Sequence, residues 1–433
     1  MLSDHSAIHV TMAASKPKLL RNTILCRKYR SIDLTNFSYD LSSSPLLQSP
    51  KESLDELVCQ YDSVIKKVVN KHAPLVSKTV VIRPYMPWYD TTILQAKRNR
   101  RQLERKWRHT KLPSDRVRFK GQRETVNKLI DQAKADYYRQ KIAESAGDQS
   151  SLFKIVDSLL HRKAKQVFPA NQSHDDLAKG FGEYFVSKIS TIRQNLDEAG
   201  SNEPEGLPSV PKFMGAALDT FRPANNDEIR SIIMKSSNAF SSLDPLPTWL
   251  LKANLDILLP CITNLVNKSL ESGVVPTEFK KAIVKPLLKK KGLDPENLKN
   301  VRPVSNLTFV SKVIEKVVAS RLHEHINAYK LHEEMQSAYR KFHSTETALL
   351  RVHNDIMLAV DRGSAVVLVL LDLSAPFDTI DHDILLQRVH KRIGVTGTAL
   401  QWFKSYLTNR CQQVLIEDAV SSSFDLLFGV PQD

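Results

Sequence analysis

The sequence predicts a mixed α+β protein, in which a helical N-terminal region precedes a region that combines helices with short strands. In residues 88–199, apolar side chains recur at three- and four-residue spacings, which is the period of a helix packed on one face. Beyond residue 220, helical stretches precede β-type runs such as AIVKPLL. The chain has 433 residues and is 42% hydrophobic. This length and composition predict two to three folded domains.

The charge balance indicates a polyanionic partner. Lys and Arg number 62 against 47 Asp and Glu, which gives a formal net charge of +15. Nucleic acid is favoured over a membrane surface because the sequence has no run of 18 or more apolar residues and no lipidation signal. The N-terminus has no secretory pattern, so we expect a nuclear or cytoplasmic protein that is not secreted. The four cysteines are widely spaced, which argues against a disulfide framework or a zinc finger.

Composition shifts divide the chain into four segments. Residues 13–87 read as a linker that carries one amphipathic helix, SLDELVCQYDSVIKKVV. Residues 88–199 form a basic helical region, predicted to bind nucleic acid. Residues 200–220, which include SNEPEGLPSVPKF, are rich enough in proline to be a second linker. Residues 221–433 form the remaining domain.

Two helices are predicted within the basic region, on either side of a break at Leu112-Pro113-Ser114, with Ser114 as the cap of the second. Each has an apolar face: Ile93, Leu103 and Trp107 on the first helix, and Val126, Ile130, Ala133 and Tyr137 on the second. Between Lys97 and Lys141 there are 16 basic residues against five acids. This imbalance suggests that the helix pair faces phosphates, whereas a solvated basic face is the alternative. The candidate nucleic-acid-binding residues are Lys97, Arg98, Arg100, Arg101, Arg105 and Lys106.

The clearest helix lies further along, from Phe309 to Tyr329. Seven apolar residues repeat there at spacings of three and four, which predicts a helix packed in a core. A shorter helix, HDDLAKGFGEYFVSKIS, is predicted to open at Ser173, where Asp175 and Asp176 suit its N-terminus.

A continuous apolar run, Ala365 to Leu371, ends on an acid, Asp372. Such a run is typical of a strand covered on both faces. A charged carboxylate inside that layer would cost several kcal/mol, so we expect Asp372 at the strand end, where a cation or solvent reaches it. A divalent metal is one explanation and a structural cap is the other. Carboxylates that hold Mg²⁺ against phosphate oxygens are the groups that phosphoryl transfer requires.

The segment LLDLSAPFDTIDH resembles the first palm motif of the reverse transcriptases of LINE-type non-LTR retrotransposons. The resemblance implies that Asp372 is a catalytic metal ligand and that Phe377 lies under the nucleotide sugar. A flat ring there leaves no room for a 2′-hydroxyl, so deoxynucleotides are favoured. The following acids, Asp378, Asp381 and Asp383, are expected to cap and solvate the next helix.

Three further blocks match the same family in the same order. KPLLKKKGLDPENLKNVRPVSNLTFVSKVIEKVV resembles a fingers motif and places Arg302 in its RP-x-S core. QSAYRKFHSTETALL resembles the next fingers motif and includes Arg340. Guanidinium groups here would bind the incoming triphosphate, although a local carboxylate partner is the alternative for both arginines. The end, FGVPQD, resembles the start of a palm motif that usually reads GVPQG.

At the N-terminus, LSDHSAI resembles the last motif of the apurinic-type endonuclease domain that precedes the polymerase in these elements. Asp4 and His5 would be its phosphate-orienting residues, and residues 1–12 would be a remnant of that domain.

The resemblance implies a partial right-hand polymerase, with fingers and the first part of a palm over residues 221–433. It implies RNA-directed DNA synthesis with Mg²⁺, an RNA template, DNA and deoxynucleoside triphosphates. The family's Tyr-x-Asp-Asp hairpin is not found in the 433 residues, so we expect no polymerase activity from this polypeptide alone. The chain also departs from the family at Val301, Ala338 and Pro376, of which Pro376 is expected to shift the aromatic residue. The alternative is a non-catalytic RNA- or DNA-binding protein derived from a retroelement.

Overall fold

The computed structural model describes residues 21–81, 86–144, 152–153, 155, 173–199, 212–238, 241–290, 292–373 and 375–431. Asp4 and His5 lie outside these residues. The chain divides into two compact units. The first contains the described parts of residues 1–27 and 75–166, and the second contains those of 28–74 and 167–433.

The described residues form helices and strands in the following order along the chain. The α-helices are α1 (Leu34–Ser42), α2 (Pro45–Gln48), α3 (Leu54–His72), α4 (Thr91–Thr110), α5 (Pro113–Glu144), α6 (His174–Ala199), α7 (Asn226–Lys235), α8 (Thr248–Ala253), α9 (Leu255–Ser272), α10 (Phe309–Ala328), α11 (Thr345–Asp361), α12 (His382–Lys391) and α13 (Gly397–Leu407). The strands are β1 (Arg21–Arg27), β2 (Leu75–Val81), β3 (Lys281–Leu288), β4 (Val301–Asn306), β5 (Arg410–Ile416), β6 (Ala419–Val420) and β7 (Phe424–Leu426). Short 3₁₀ turns lie at Tyr29–Ser31, Thr277–Lys280 and Leu298–Asn300.

The first unit consists of an antiparallel strand pair and a helical hairpin. Strands β1 and β2 pair antiparallel, with Arg27 opposite Leu75. Helix α4 ends at Lys111, whose backbone is left-handed with φ 54°, and α5 begins at Pro113. The break between the helices is therefore confirmed. Proline suits the first turn of a helix, where its missing N–H is not needed. Ser114 consequently lies inside α5 rather than at its cap.

The predicted apolar faces of this hairpin are confirmed. Ile93 on α4 and Val126 on α5 are fully buried. The Trp107 and Phe119 rings stack with centroids 5.6 Å apart, and Gln122 Nε2 donates to the Ala96 carbonyl. These contacts hold the helices side by side in opposite directions.

The second unit has a helical core around α9 and α10. Residues 28–74 contribute to it through α1, α2 and α3, and Phe37, Leu57 and Ile65 are fully buried there. The sequence predicted a linker with one helix over 13–87, and the structure differs, because the short helices before Leu54 also bury apolar side chains. The predicted helix itself is present as α3.

Helix α10 confirms the prediction of a core-packing helix over residues 309–329. The Thr308 side chain accepts the Ser311 amide at its start, and Val313, Ile314 and Val317 are buried along one face. The buried guanidinium of Arg321 on this helix forms an ion pair with the half-buried carboxylate of Glu228 on α7.

A mixed sheet forms the second layer of this unit. The strand order is β4-β3-β5-β6, with β7 paired to β5. Strand β3 pairs antiparallel with β4 and parallel with β5. Helix α6 covers this sheet with Leu177, Phe181 and Phe185, against Val284 and Val414. Helix α6 thus belongs with the sheet, although the sequence assigned it to the basic region of 88–199.

Candidate active site

The apolar run before Asp372 does not form the buried strand that the sequence predicted. Residues 364–373 have no regular secondary structure, and no described strand pairs with them. Leu370 is 83% and Leu371 is 90% exposed. An apolar run shows that a segment can be buried, whereas burial requires neighbouring strands and a covering layer, which no described residues supply here. Asp372 is consequently exposed to solvent.

Immediately after this run, the loop that carries Phe377 is ordered by its own backbone. The Asp378 amide and the Thr379 hydroxyl both donate to the Ala375 carbonyl, at 3.0 and 3.1 Å. Asp381 caps α12 by accepting the amides of Asp383 and Ile384, as predicted for the acids that follow the motif. The capping carboxylate also accepts Arg193 Nη2 of α6 at 2.9 Å, which fixes the loop to the helix that covers the sheet.

The last described residues dock on this loop. The Val430 amide donates to the Phe377 carbonyl and the Gly429 amide donates to the Ile380 carbonyl, both at 2.8 Å. His382 Nε2 lies 2.7 Å from the Gly429 carbonyl oxygen, at hydrogen-bonding distance. Gly429 has φ 81°, and a Cβ there would lie 2.7 Å from the carbonyl oxygens of Phe377 and Asp378. Only glycine permits this close approach of the two backbones, so the packing of the GVPQ segment on the Phe377 loop requires glycine at position 429.

The segment QSAYRKFHSTETALL reaches the same loop. The Tyr339 ring contacts the Phe377 ring edge-on, with centroids 6.1 Å apart, and Phe377 remains 38% exposed. Arg340 Nη1 donates to the backbone carbonyls of Glu333 and Gln336. Arg302 is exposed on β4, opposite Leu287. Among the described residues no ion pair includes Arg302 or Arg340, so the geometry does not favour the local carboxylate partner that the sequence left open.

A small cavity joins three of the motif blocks. It has a volume of about 30 Å³ and is lined by Pro303 and Ser305 of β4, Asp378 of the loop, Gly429 and Arg410 among others. The cavity therefore brings together the RP-x-S core, the aspartate loop and the GVPQ segment, although the first and the last of these are more than 120 residues apart in the sequence.

Arg410 is a cavity residue that the sequence analysis missed. It is 1% exposed, its Nη1 donates to the Tyr406 carbonyl, and its guanidinium lies over the Tyr406 ring. Its Nε and Nη2 have no hydrogen-bond partner among the described residues. Burial lowers the pKa of Arg410 below the usual range. The signal was the alternation along β5, in which Arg410 falls in register with buried Val414 and Ile416.

The described residues do not by themselves form a metal site. Asp372 offers hard carboxylate oxygens of the kind that Mg²⁺ prefers. No group of three or more His, Cys, Asp or Glu side chains that could hold a metal occurs in the part of the chain that the structure describes. One exposed carboxylate does not fix an ion in a defined geometry.

The candidate nucleic-acid-binding residues of α4 fall into two groups. Arg98, Arg101 and Arg105 are exposed. Lys97 Nζ lies over the Tyr89 ring, Arg100 is half-buried, and Lys106 Nζ lies 3.5 Å from Asp115 Oδ1. The last three thus already have contacts within the hairpin.

Comparison with known proteins identifies the class to which this arrangement corresponds. Residues 288–432 match the family model described as reverse transcriptase (RNA-dependent DNA polymerase). This range contains Arg302, Arg340, Asp372 and Phe377, and the cavity that joins the motif blocks lies partly within it.

Two curated relatives of this chain are polymerases from transposons. A probable RNA-directed DNA polymerase from transposon BS of Drosophila melanogaster is 24% identical over 444 residues, covering 99% of this chain and 48% of the relative. A probable RNA-directed DNA polymerase from transposon X-element of the same organism is 23% identical over 355 residues, covering 77% of this chain and 37% of the relative. These matches support a LINE-type reverse transcriptase, and the resemblance inferred from the motifs is confirmed. The chain spans about half the length, or less, of these relatives.

Within the described ranges, no helix is both long enough and apolar enough to cross a bilayer.

Proposed function

We propose that this chain is the fingers and first palm portion of a polymerase that adds deoxynucleotides to a primer under the direction of an RNA template. The observation that carries the proposal is the convergence of Ser305, Asp378 and Gly429 around one cavity, inside the residues that match the reverse transcriptase family. Ligand sites favour concave places where separate segments meet.

In this proposal each motif residue has a distinct role. Arg302 and Arg340 bind oxygens of the incoming triphosphate, because fixed guanidinium donors suit phosphate. Phe377 lies under the sugar and excludes the 2′-hydroxyl by its volume. Asp372 contributes one oxygen ligand to Mg²⁺. Template and primer are held mainly through their phosphates.

Nucleotide selection tests the role of Phe377 without requiring catalysis. Affinities of dATP and ATP are compared by competition against a fluorescent nucleotide on the full chain with template–primer. We expect Phe377→Ala to reduce the preference for dATP about tenfold, since one extra group in a pocket is worth about 10- to 200-fold. Phe342→Ala is the matched control, because Phe342 is 88% exposed in the neighbouring fingers segment. Equal preference in the wild-type chain would contradict the proposed role of Phe377.

Triphosphate binding tests the arginines in the same assay. Arg302→Gln is expected to weaken nucleotide binding about tenfold or more, since a hydrogen bond to a charged group contributes about 1.5–3 kcal/mol. Arg351→Gln, on the exposed face of α11, removes the same charge and is expected to have little effect. Similar losses in both variants would show that net charge, rather than a defined site, binds the nucleotide.

We further propose that residues 1–433 alone do not extend a primer. Displacement at a phosphoryl group by two metal ions needs carboxylates from more than one segment, and the matched motifs supply Asp372. Template-primed incorporation with Mg²⁺ is the test, and we expect none above background. Extension that disappears in Asp372→Asn would refute the inactivity while supporting the catalytic role of Asp372.

The second candidate is a non-catalytic RNA- or DNA-binding protein of retroelement origin. The exposed arginines of α4 favour it. It predicts tight nucleic-acid binding with no dNTP affinity that depends on Arg302 or Phe377. The two candidates therefore separate in the nucleotide-binding assays above.

We also propose that the protein acts in the nucleus or the cytoplasm. Imaging of a fluorescent fusion tests this, and recovery of the protein from the culture medium would contradict it.

A further inference from the structure

One side of the helical hairpin formed by α4 and α5 carries six exposed cations. We propose that this side binds the phosphate backbone of double-stranded nucleic acid. The proposal deepens the nucleic-acid binding described above and does not depend on the polymerase motifs. The residues are Arg98, Arg101 and Arg105 of α4 and Arg116, Lys120 and Arg123 of α5, and together they are called the basic face.

The spacing of these residues places each set of three on one stripe of its helix. Positions 98, 101 and 105, like positions 116, 120 and 123, are separated by three and four residues, which brings side chains together on a helix. Each stripe spans eight residues, so its ends are about 10 Å apart at a rise of about 1.5 Å per residue.

Both stripes lie on the same side of the hairpin. The opposite side is marked by Asp115, which accepts the Thr110 hydroxyl at 2.7 Å and lies 3.5 Å from Lys106 Nζ. In α4, Arg101 and Arg105 are turned away from Thr110 and Lys106 by more than 90°. In α5, Lys120 is turned by about 140° and Arg123 by about 80° from Asp115. Because the helices run in opposite directions, rotations in the same sense from the shared interface lead to the same side.

The charges of the basic face are available for a polyanion, although the Arg116 guanidinium also lies over the Trp107 ring, 5.9 Å from its centroid. All six are exposed. Within the described residues none of them takes part in an ion pair, whereas neighbouring Arg108 pairs with Glu104 at 2.7 Å. Glu124 lies four residues after Lys120 on the same side of α5, but no ion pair joins the two among the described residues. Six unpaired like charges repel one another, and a polyanion relieves this repulsion.

The positions of the aromatic residues in the hairpin favour a double-stranded over a single-stranded nucleic acid as the binding partner. Single strands are usually bound by bases that stack on accessible rings. Here Trp107 stacks on Phe119, and Trp88 packs against Tyr137 and Tyr138, so these rings are engaged inside the hairpin. The stripes themselves contain no apolar residue, unlike helices that lie in a membrane surface. A rigid phosphate backbone is the ligand that fits.

The test compares two double variants of α5 with the same change in charge. Lys120→Gln/Arg123→Gln removes one Lys and one Arg from the basic face. Arg118→Gln/Lys128→Gln removes one Lys and one Arg from other sides of the same helix, where both are also exposed. Binding of the full chain to a 20-base-pair duplex of random sequence is measured by fluorescence anisotropy from 50 to 300 mM salt.

We expect the basic-face variant to lower the slope of log K against log salt by about 2, since each phosphate contact contributes about 0.9. At 0.1 M salt this corresponds to about 60-fold weaker binding. The control variant should stay within about threefold of the wild-type chain. Equal losses in the two variants would overturn the proposal, because net charge alone would then explain binding.

Two competitors complete the test. A single strand of equal length should bind more weakly than the duplex, and anionic vesicles should not compete with it. Tighter binding of the single strand, or competition by vesicles, would overturn the proposal. Arg351→Gln, a charge removal on the exposed face of α11, is included as well, and it should leave duplex binding unchanged. If the nucleotide assays fail while the basic-face variant behaves as expected, the polymerase proposal falls and this one stands.

Discussion

Replacing Gly429 by alanine tests whether the GVPQ segment and the Phe377 loop form one unit. Gly429 has φ 81°, and its added Cβ would lie 2.7 Å from the Phe377 and Asp378 carbonyl oxygens. A left-handed backbone costs an alanine about 1–2 kcal/mol. The clash would also separate the amides of Gly429 and Val430 from their acceptors, at about 0.5–1.5 kcal/mol for each hydrogen bond. The total is about 3 kcal/mol.

Gly363→Ala is the matched control. Gly363 also has a left-handed backbone, with φ 74°, but nothing lies within 4 Å of its Cβ position. It should cost only the backbone term of about 1–2 kcal/mol. The difference between the two variants therefore measures the close approach at Gly429.

Two measurements check this expectation. Urea unfolding gives the change in the free energy of unfolding for each variant. Amide hydrogen exchange of residues 428–430 reports the docked segment directly, and we expect faster exchange in Gly429→Ala only. If exchange at Val430 is unchanged and the two variants unfold alike, the docking of the segments on each other is not what Gly429 preserves.

Three further perturbations have defined outcomes. Arg321 is 4% exposed and forms two 2.7 Å hydrogen bonds to Glu228. Arg321→Leu should therefore lower the free energy of unfolding, measured by denaturant titration, by about 3–5 kcal/mol. A change below about 1 kcal/mol would contradict the importance of this pair. Burial raises the pKa of Asp244 from 3.8 to about 6, so the folded state binds more protons than the unfolded chain between about pH 4 and 6. The free energy of unfolding should therefore decrease by up to about 3 kcal/mol as pH rises through that window. Asp244→Asn should remove this pH dependence. Val367 and Leu371 are 86% and 90% exposed, so replacing both by serine should change the free energy of unfolding by no more than about 0.5 kcal/mol. The same change should reduce binding of a hydrophobic dye. A larger loss of unfolding free energy would mean that these side chains are buried.

Local periodicity predicted the helices well, because a helix makes its own hydrogen bonds. The helix predicted from Phe309 to Tyr329 is α10, and the break near Leu112 separates α4 from α5. Strand formation depends on partners that are distant in sequence. The strand predicted at Ala365–Leu371 therefore failed, although its composition resembles that of a buried strand.

The same reasoning explains what was missed in the candidate site. The motif spacing indicated Phe377 and Arg340, and the structure brings the neighbouring Tyr339 onto Phe377. The alternation along β5 places Arg410 in register with buried residues, but its contact with the Tyr406 ring and its position at the cavity depend on the folded chain. The contribution of residues 28–74 to the helical core was not predicted for a similar reason, since the sequence of a short amphipathic helix does not show the surface on which its apolar face packs.

The position of Asp372 now depends on a loop rather than on a strand. Phe377 is five positions further along the chain, and an extended chain of that length reaches at most about 18 Å. Phe377 is held by Val430 and Tyr339, so the carboxylate is tethered near the cavity even though residues 364–373 are exposed. Tethering limits distance but does not fix orientation, and catalysis requires orientation. The proposed metal-binding role therefore requires that the apolar run before Asp372 become covered, and protection of the amides of residues 366–371 upon binding of template–primer is the observation that this role demands.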